Sequence, residues 1–378
     1  MAEVAPAVEA FNAGQERRVV EIEVVPDIST QLRLTQQQPD LVISSYMEDA
    51  QTAQFFQPLD GLLRREVGRD VFYPDLLETG RRNGRQLLIP VSFNLPLLYF
   101  PEAVRPVGAP RVMDAETIRE RSEQFNRGTG ERWTNLGFSP VWSRSFLYQY
   151  ARAQGFTVLE GPDGAPQWEA SVVTSALADV VEWVTDTNGS RELDAEFMER
   201  YLYAPQLQLV RSGRIGHGFS RSGQFFSLMQ EQRRGLGFRW YGDSGQIDVL
   251  EDVVFAAVPQ EARNVAGAQE FLAYLFAEEN QAAILEQTLR KQIDAFGIIG
   301  GFSSLWRVTE QRIPALYPEL TGMIPARSSL TFPGPSPRHW GSLVEEVVQP
   351  WLLREATGVP QSRDLEGSVQ AWLLQQEQ

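Results

Sequence analysis

Cysteine is absent from the 378 residues, which excludes disulfides, thiol nucleophiles and thiolate metal sites together. It leaves the redox compartment open, since exported and cytosolic proteins alike can lack it. Histidine occurs only at His217 and His339, so a metal centre or a histidine general base would have to be built from very little, and a structural role is expected for both. No cofactor and no metal are expected. Lysine is nearly absent too: Lys291 stands alone and arginine supplies the remaining positive charge, a coding bias with little mechanistic content. The formal net charge of -15 excludes a polyphosphate partner or an anionic membrane surface, because either needs concentrated cations. No run of eighteen apolar residues exists, and Met1-Ala2-Glu3-Val4 opens without a basic or apolar leader. If the native protein is exported, its signal or lipid-anchor segment is expected outside this chain.

What is present is an ordinary globular composition, 43% hydrophobic and 11% aromatic, in a chain long enough for two domains or lobes. Residues 4 to 13 carry apolar positions three and four apart and predict a helix stopped at Gly14. Val19 to Val25 is β-branched and partly alternating, which predicts a strand ended by Pro26-Asp27. Pro39 to Tyr46 predicts a buried parallel strand opening into a loop, where α/β sheets place ligands. Asn83-Gly84 marks a hairpin turn, and the apolar stretch from Leu87 to Phe100, broken by Ser92 and Asn94, predicts two strands meeting at a kink. Ser145 to Gln154 and Ser171 to Thr185 read as helices of a second α/β unit. Val253 to Pro259 predicts a buried strand, followed by an amphipathic helix from Val265 to Phe276 and, beyond a proline-rich stretch at 332 to 337, helices to the end.

Four segments in order carry a resemblance. Pro39-Asp40-Leu41-Val42 with Gln57-Pro58-Leu59-Asp60, the Ile89-Pro90-Val91-Ser92 run leading to Leu98-Tyr99, Gly213-Arg214-Ile215, and Ala268-Gln269-Glu270-Phe271-Leu272 resemble the motifs of family 1 extracellular solute-binding proteins of ABC importers. Maltose- and glycerol-phosphate-type sugar receptors are the branch most similar in length and crossover pattern. The resemblance implies an α/β, two-lobed periplasmic-binding-protein-like fold, each lobe a sheet flanked by helices, joined by a multi-strand hinge. It implies a first lobe of residues 1–94 plus 254–303 and a second of 95–253 plus 304–378. It further implies a monomeric, periplasmic or extracytoplasmic receptor, free or lipid-anchored, that closes on a small solute such as a sugar and presents it to ABC permease transmembrane subunits. Relatives begin with a strand that this chain lacks before its first helix, so the first ligand loop is expected to be absent or remodelled.

A sugar offers apolar C–H faces and a rim of hydroxyls, matched by aromatic rings and directed polar side chains. By position against the family pattern the candidates are Tyr46, Glu48, Asn94, Trp142, Phe219, Arg221, Trp240 and Trp340. Packing competes with stacking for the three tryptophans, because tryptophan is buried on average, and a solvated surface role competes for Glu48 and Arg221. Ser44-Ser45 and Ser303-Ser304 lack a nucleophile-elbow context, Gly300-Gly301 lacks the lysine of a phosphate loop, and the pairs Glu278-Glu279 and Glu345-Glu346 read as solvated helix faces. The expected function is therefore capture rather than catalysis. A carboxylate-based glycosidase or transferase on the same scaffold is the alternative.

Overall fold

The computed structural model describes residues 4–25, 28–34, 38–104, 110–129, 132–161 and 164–376. Two four-stranded sheets organise it. The first runs in the order Val42–Ser44, Val254–Ala257, Ile89–Phe93, Phe302–Ser303, with every pairing antiparallel. The second runs Gly218–Arg221, Pro96–Pro101, Leu236–Tyr241, Val112–Met113, antiparallel except for the last pair.

Ile89–Phe93 and Pro96–Pro101 are the two strands expected around the kink, and between them the chain passes from one sheet to the other through Asn94-Leu95. Pro90 occupies a central strand, where its missing N–H would break a ladder. The neighbouring strand accommodates it with a register shift between Val254 and Phe255, so that Phe255 faces Pro90 while Val254 faces Ser92. The chain returns to the first sheet through Val249–Val253.

Two expectations are corrected. Val42–Ser44 was expected to lie in a parallel sheet but pairs antiparallel with Val254–Ala257. A short apolar run buried on both faces carries no record of strand direction. Val19 to Val25 forms no strand, and Val19 and Val24 are exposed. The Asn12 side chain takes both backbone groups of Val20, each at 2.9 Å, in place of a ladder partner. The stop expected at Pro26-Asp27 lies outside the described residues.

The helices follow their patterns: Ala5–Ala13, Arg144–Ala153, Ala170–Asn188 and Val265–Leu275 each bury an apolar stripe against a sheet or another helix. At Asn83-Gly84 both residues have positive φ, 49° and 76°, closing the Arg81–Gln86 hairpin as a primed turn requires. An aromatic cluster joins the sheets on one side of the crossover. Trp240 of the second sheet meets Phe302 of the first with centroids 5.8 Å apart, and beside them Phe226, on the helix Ser222–Ser227, meets Phe296, in the loop before Phe302, at 5.0 Å. Among the described residues no helix is long and apolar enough to cross a membrane.

Candidate ligand cleft between the two sheets

The crossover residues open into a cavity of about 460 Å³ lined from both sides. One wall is Ser45, Tyr46, Ile299 and Gly300; the other is Ser143, Ser145, Tyr148, Gln149, Phe219, Arg221 and Gln224, with Asn94, Glu251 and Asp252 at the base and Glu345 and Gln349 from a C-terminal helix.

Asn94 fastens the base. Its Oδ1 accepts from Ser222 Oγ at 3.0 Å and from the Gly223 N–H at 2.7 Å, while its backbone carbonyl accepts from Leu250 N–H at 3.0 Å. With Oδ1 so engaged, the amide nitrogen is the donor this residue has for the cavity it lines. Gly223 has no room for a side chain: a Cβ there would stand 2.2 Å from the Gly300 carbonyl oxygen and 2.6 Å from Asn94 Oδ1. Ile299-Gly300 is itself a tight turn with φ of 49° and 79°, and a β-branched residue at positive φ is strained backbone of the kind that collects at functional sites.

The returning segment brings two carboxylates. Glu251 accepts hydrogen bonds from the Tyr148 hydroxyl and, at 3.1 Å, from Trp340 Nε1; Arg152 stands 3.7 Å away. The surrounding charge, Glu251 first, offsets the desolvation of the buried Arg152 and holds its guanidinium protonated. Asp252 pairs with Arg221 across adjoining segments, and burial raises its pKa. Each cavity-side guanidinium is thus tied to its own carboxylate. Burial, reinforced by Asp252, Glu251, Glu48 and Glu345, drives the Tyr46 phenol well above its ordinary range, so the hydroxyl stays a neutral donor.

Tyr46 sits at φ 56° with its ring against the start of the C-terminal helix, where a Cβ on Gly341 would come within 2.6 Å of it. That helix is α over Trp340–Leu343, opens to a π turn over Val344–Val348 and resumes over Gln349–Thr357. Pro350 accounts for the widening, since it offers no N–H and its ring crowds the carbonyl four residues back. The widened turn lies beside the cavity, where Val344, Glu345 and Gln349 line the wall.

Of the residues singled out from sequence, Tyr46, Asn94, Phe219 and Arg221 are brought together around the cavity. The other four do not line it. Glu48 is buried two residues beyond Tyr46, its Oε2 without a partner and its carboxyl pushed up to about 8 by desolvation. Trp142 stacks on Phe197 with centroids 5.6 Å apart, and Trp240 is fully buried, donating from Nε1 to the Met323 carbonyl at 2.6 Å. Trp340 is buried behind the wall and reaches the site only through Glu251. His217 is buried beside Phe100, with burial lowering its pKa to about 4, and His339 caps the helix that starts at Trp340.

Sequence reasoning passed over Tyr148, Gln149, Glu251, Asp252, Glu345 and Gln349. The usable signals were an acidic pair directly before a buried strand and a proline within a helical pattern. Among the described residues no group of three or more metal-ligating side chains is found.

Two long-range hydrogen bonds tie the segment that follows the strand Val42–Ser44 to distant parts of the chain: Glu160, on the strand Leu159–Glu160, accepts from the backbone N–H of Ala50 at 3.2 Å, and Arg338 donates to Gln51 at 3.1 Å.

No protein-family model and no curated protein matches the sequence. Solved structures do match along nearly its whole length. An ABC substrate-binding protein from Listeria monocytogenes in complex with cycloalternan gives a TM-score of 0.67 at 13% identity, covering 99% of this chain and 96% of that one. An extracellular solute-binding protein family 1 member from Alicyclobacillus acidocaldarius gives 0.62 at 15%, covering 99% and 93%. The maltose/maltodextrin-binding domain from Bdellovibrio bacteriovorus bound to maltotriose gives 0.59 at 16%, covering 99% and 95%. The chain therefore has the two-lobed α/β fold of solute-binding proteins. These neighbours are binding proteins rather than enzymes.

Proposed function

We propose that this chain is the capturing receptor of an ABC import system, taking an oligosaccharide into the cleft between its lobes and closing over it. The observation that carries the reading is the cavity itself: it lies at the chain crossover, draws walls from both sheets, and sets the rings of Tyr46, Tyr148 and Phe219 among amide and hydroxyl side chains. That combination suits a ligand with apolar faces and hydroxyl edges. Saccharides bound to the structural neighbours support the same ligand class. The lobes in this reading are residues 1–94 plus 254–303 and 95–253 plus 304–378, with Asn94 and the 249–253 return as hinge segments. Tyr46, Asn94, Phe219 and Arg221, joined by Tyr148 and Gln349, hold the ligand.

Closure shifts the population toward a form that permease transmembrane subunits recognise on the outer face of a membrane. The receptor acts as a monomer, needs no cofactor and performs no chemistry on its ligand. A thermal-shift screen over sugars, sugar phosphates, polyols and oligopeptides tests the reading. A saccharide at a hundredfold excess over its Kd adds about 2.7 kcal/mol of stability. A shift from peptides and none from any carbohydrate refutes the ligand class, and release of product from an oligosaccharide refutes capture without conversion.

A further inference from the structure

The charges around the cavity are unequal, and this narrows the ligand within the receptor reading on which the following rests. Glu251, Asp252 and Glu345 line the cavity against one lining arginine, Arg221. Arg221 is paired with Asp252, and Arg152, behind the wall, stands beside Glu251 and donates to the Val249 carbonyl at 3.2 Å. Neither guanidinium is left as an uncompensated cation for a phosphate or carboxylate. Glu345 is different. It is exposed on the widened turn, and no hydrogen bond or ion pair joins it to any described residue. Its charge is close enough to the Tyr46 hydroxyl to affect that group. An unpaired carboxylate beside aromatic rings is the pairing that receives an ammonium group, by Coulomb attraction on one side and the ring faces on the other.

We infer that the cleft selects an amine-bearing saccharide, a hexosamine-containing oligosaccharide with Glu345 as the acceptor of its ammonium group, and rejects phosphorylated and uronic acid sugars. The hydroxyl-directed side chains, Asn94, Ser145, Gln149 and Gln224, recognise the rest of the sugar.

The test is a thermal-shift and calorimetric series on the full chain with glucosyl, galactosyl and mannosyl disaccharides, their 2-amino counterparts and their uronate counterparts. The inference expects the amine member of at least one set to bind about fivefold or more tighter than its neutral parent, an advantage that shrinks with added salt, with no uronate binding. Glu345→Gln should bring the amine-to-neutral ratio close to one. Glu346→Gln removes the same charge one residue away, from a carboxylate that accepts from Trp372 Nε1, and should leave the ratio unchanged. Equal binding of neutral and amine members, binding of a uronate, or a ratio that survives Glu345→Gln overturns the inference and leaves the receptor standing. Silence from every saccharide overturns both.

Discussion

Replacing Glu48 by glutamine should stabilise the protein near neutral pH and do nothing in acid. The carboxyl is fully buried beside Tyr46, with one oxygen unpartnered. Arg82 does not neutralise it directly, since that guanidinium donates at 3.0 and 2.8 Å to the backbone carbonyl of Glu48 instead. Desolvation raises the pKa from 4.5 to about 8, so at pH 7 the folded protein keeps a proton that the unfolded chain has released. The sign follows. The contribution of this group to stability is fully present below pH 4.5, where both states are protonated, and declines as pH rises from there to about 8, by about 1.4 kcal/mol for each pH unit. Across the interval up to pH 7 this amounts to about 3 kcal/mol. Glutamine mimics the protonated carboxyl without the linked proton and should recover most of it. With an unfolding entropy of about 2.1 cal/mol/K per residue over 378 residues, the melting temperature should rise by about 4 °C at pH 7. The assay is thermal unfolding of both proteins from pH 4 to 8.5, followed as their difference, which cancels the contributions of His217 and Asp194, two other buried groups with shifted pKa values. A variant less stable than the parent at pH 7, or a difference that is flat with pH, would mean that Glu48 is ionised in the fold and would refute the reasoning.

Asn94→Ala strands the Gly223 N–H and Ser222 hydroxyl at the crossover, so chemical denaturation should show a loss of about 2–4 kcal/mol, with ligand affinity falling as well. Gly223→Ala pushes a methyl group into the Gly300 carbonyl, and small-angle scattering with a saturating saccharide should report a particle that no longer contracts. Glu160→Ala removes the hydrogen bond between Ala50 and the strand Leu159–Glu160; the ligand-free protein should become more extended by scattering while its melting temperature changes little, and an unchanged radius of gyration would show that this contact does not hold the lobes together.

The fold was legible wherever a segment had a single physical solution. The Leu87 to Phe100 stretch is apolar on both sides of a polar centre, and only a strand, a crossing and a second strand bury both halves. The Val265–Leu275 stripe could only be a helix on a core. Val19 to Val25 misled because alternation is a local property while a strand needs a partner, and the partner for Val20 proved to be the side chain of Asn12. The cleft was half legible. Tyr46, Asn94 and Phe219 lie at strand ends that the pattern locates, whereas Glu251 and Glu345 reach it through a return crossing and a proline-widened turn, each set by contacts between distant segments. Tryptophan carries no sign of which side it will take: Trp142 and Trp240 sit in aromatic cores, and Trp340 sits behind the wall.

The strand order has a consequence for how the molecule comes into being. Among the described residues Val42–Ser44 pairs only with Val254–Ala257, and Phe302–Ser303 completes the far side of the same sheet. While the chain is being made, the sheet begun first stays open at its centre until the whole of the second sheet has been synthesised. Such long-range closure is slow. An early segment held unpaired for that long remains available to a holding chaperone, and the last strands to emerge set the moment at which the protein can fold.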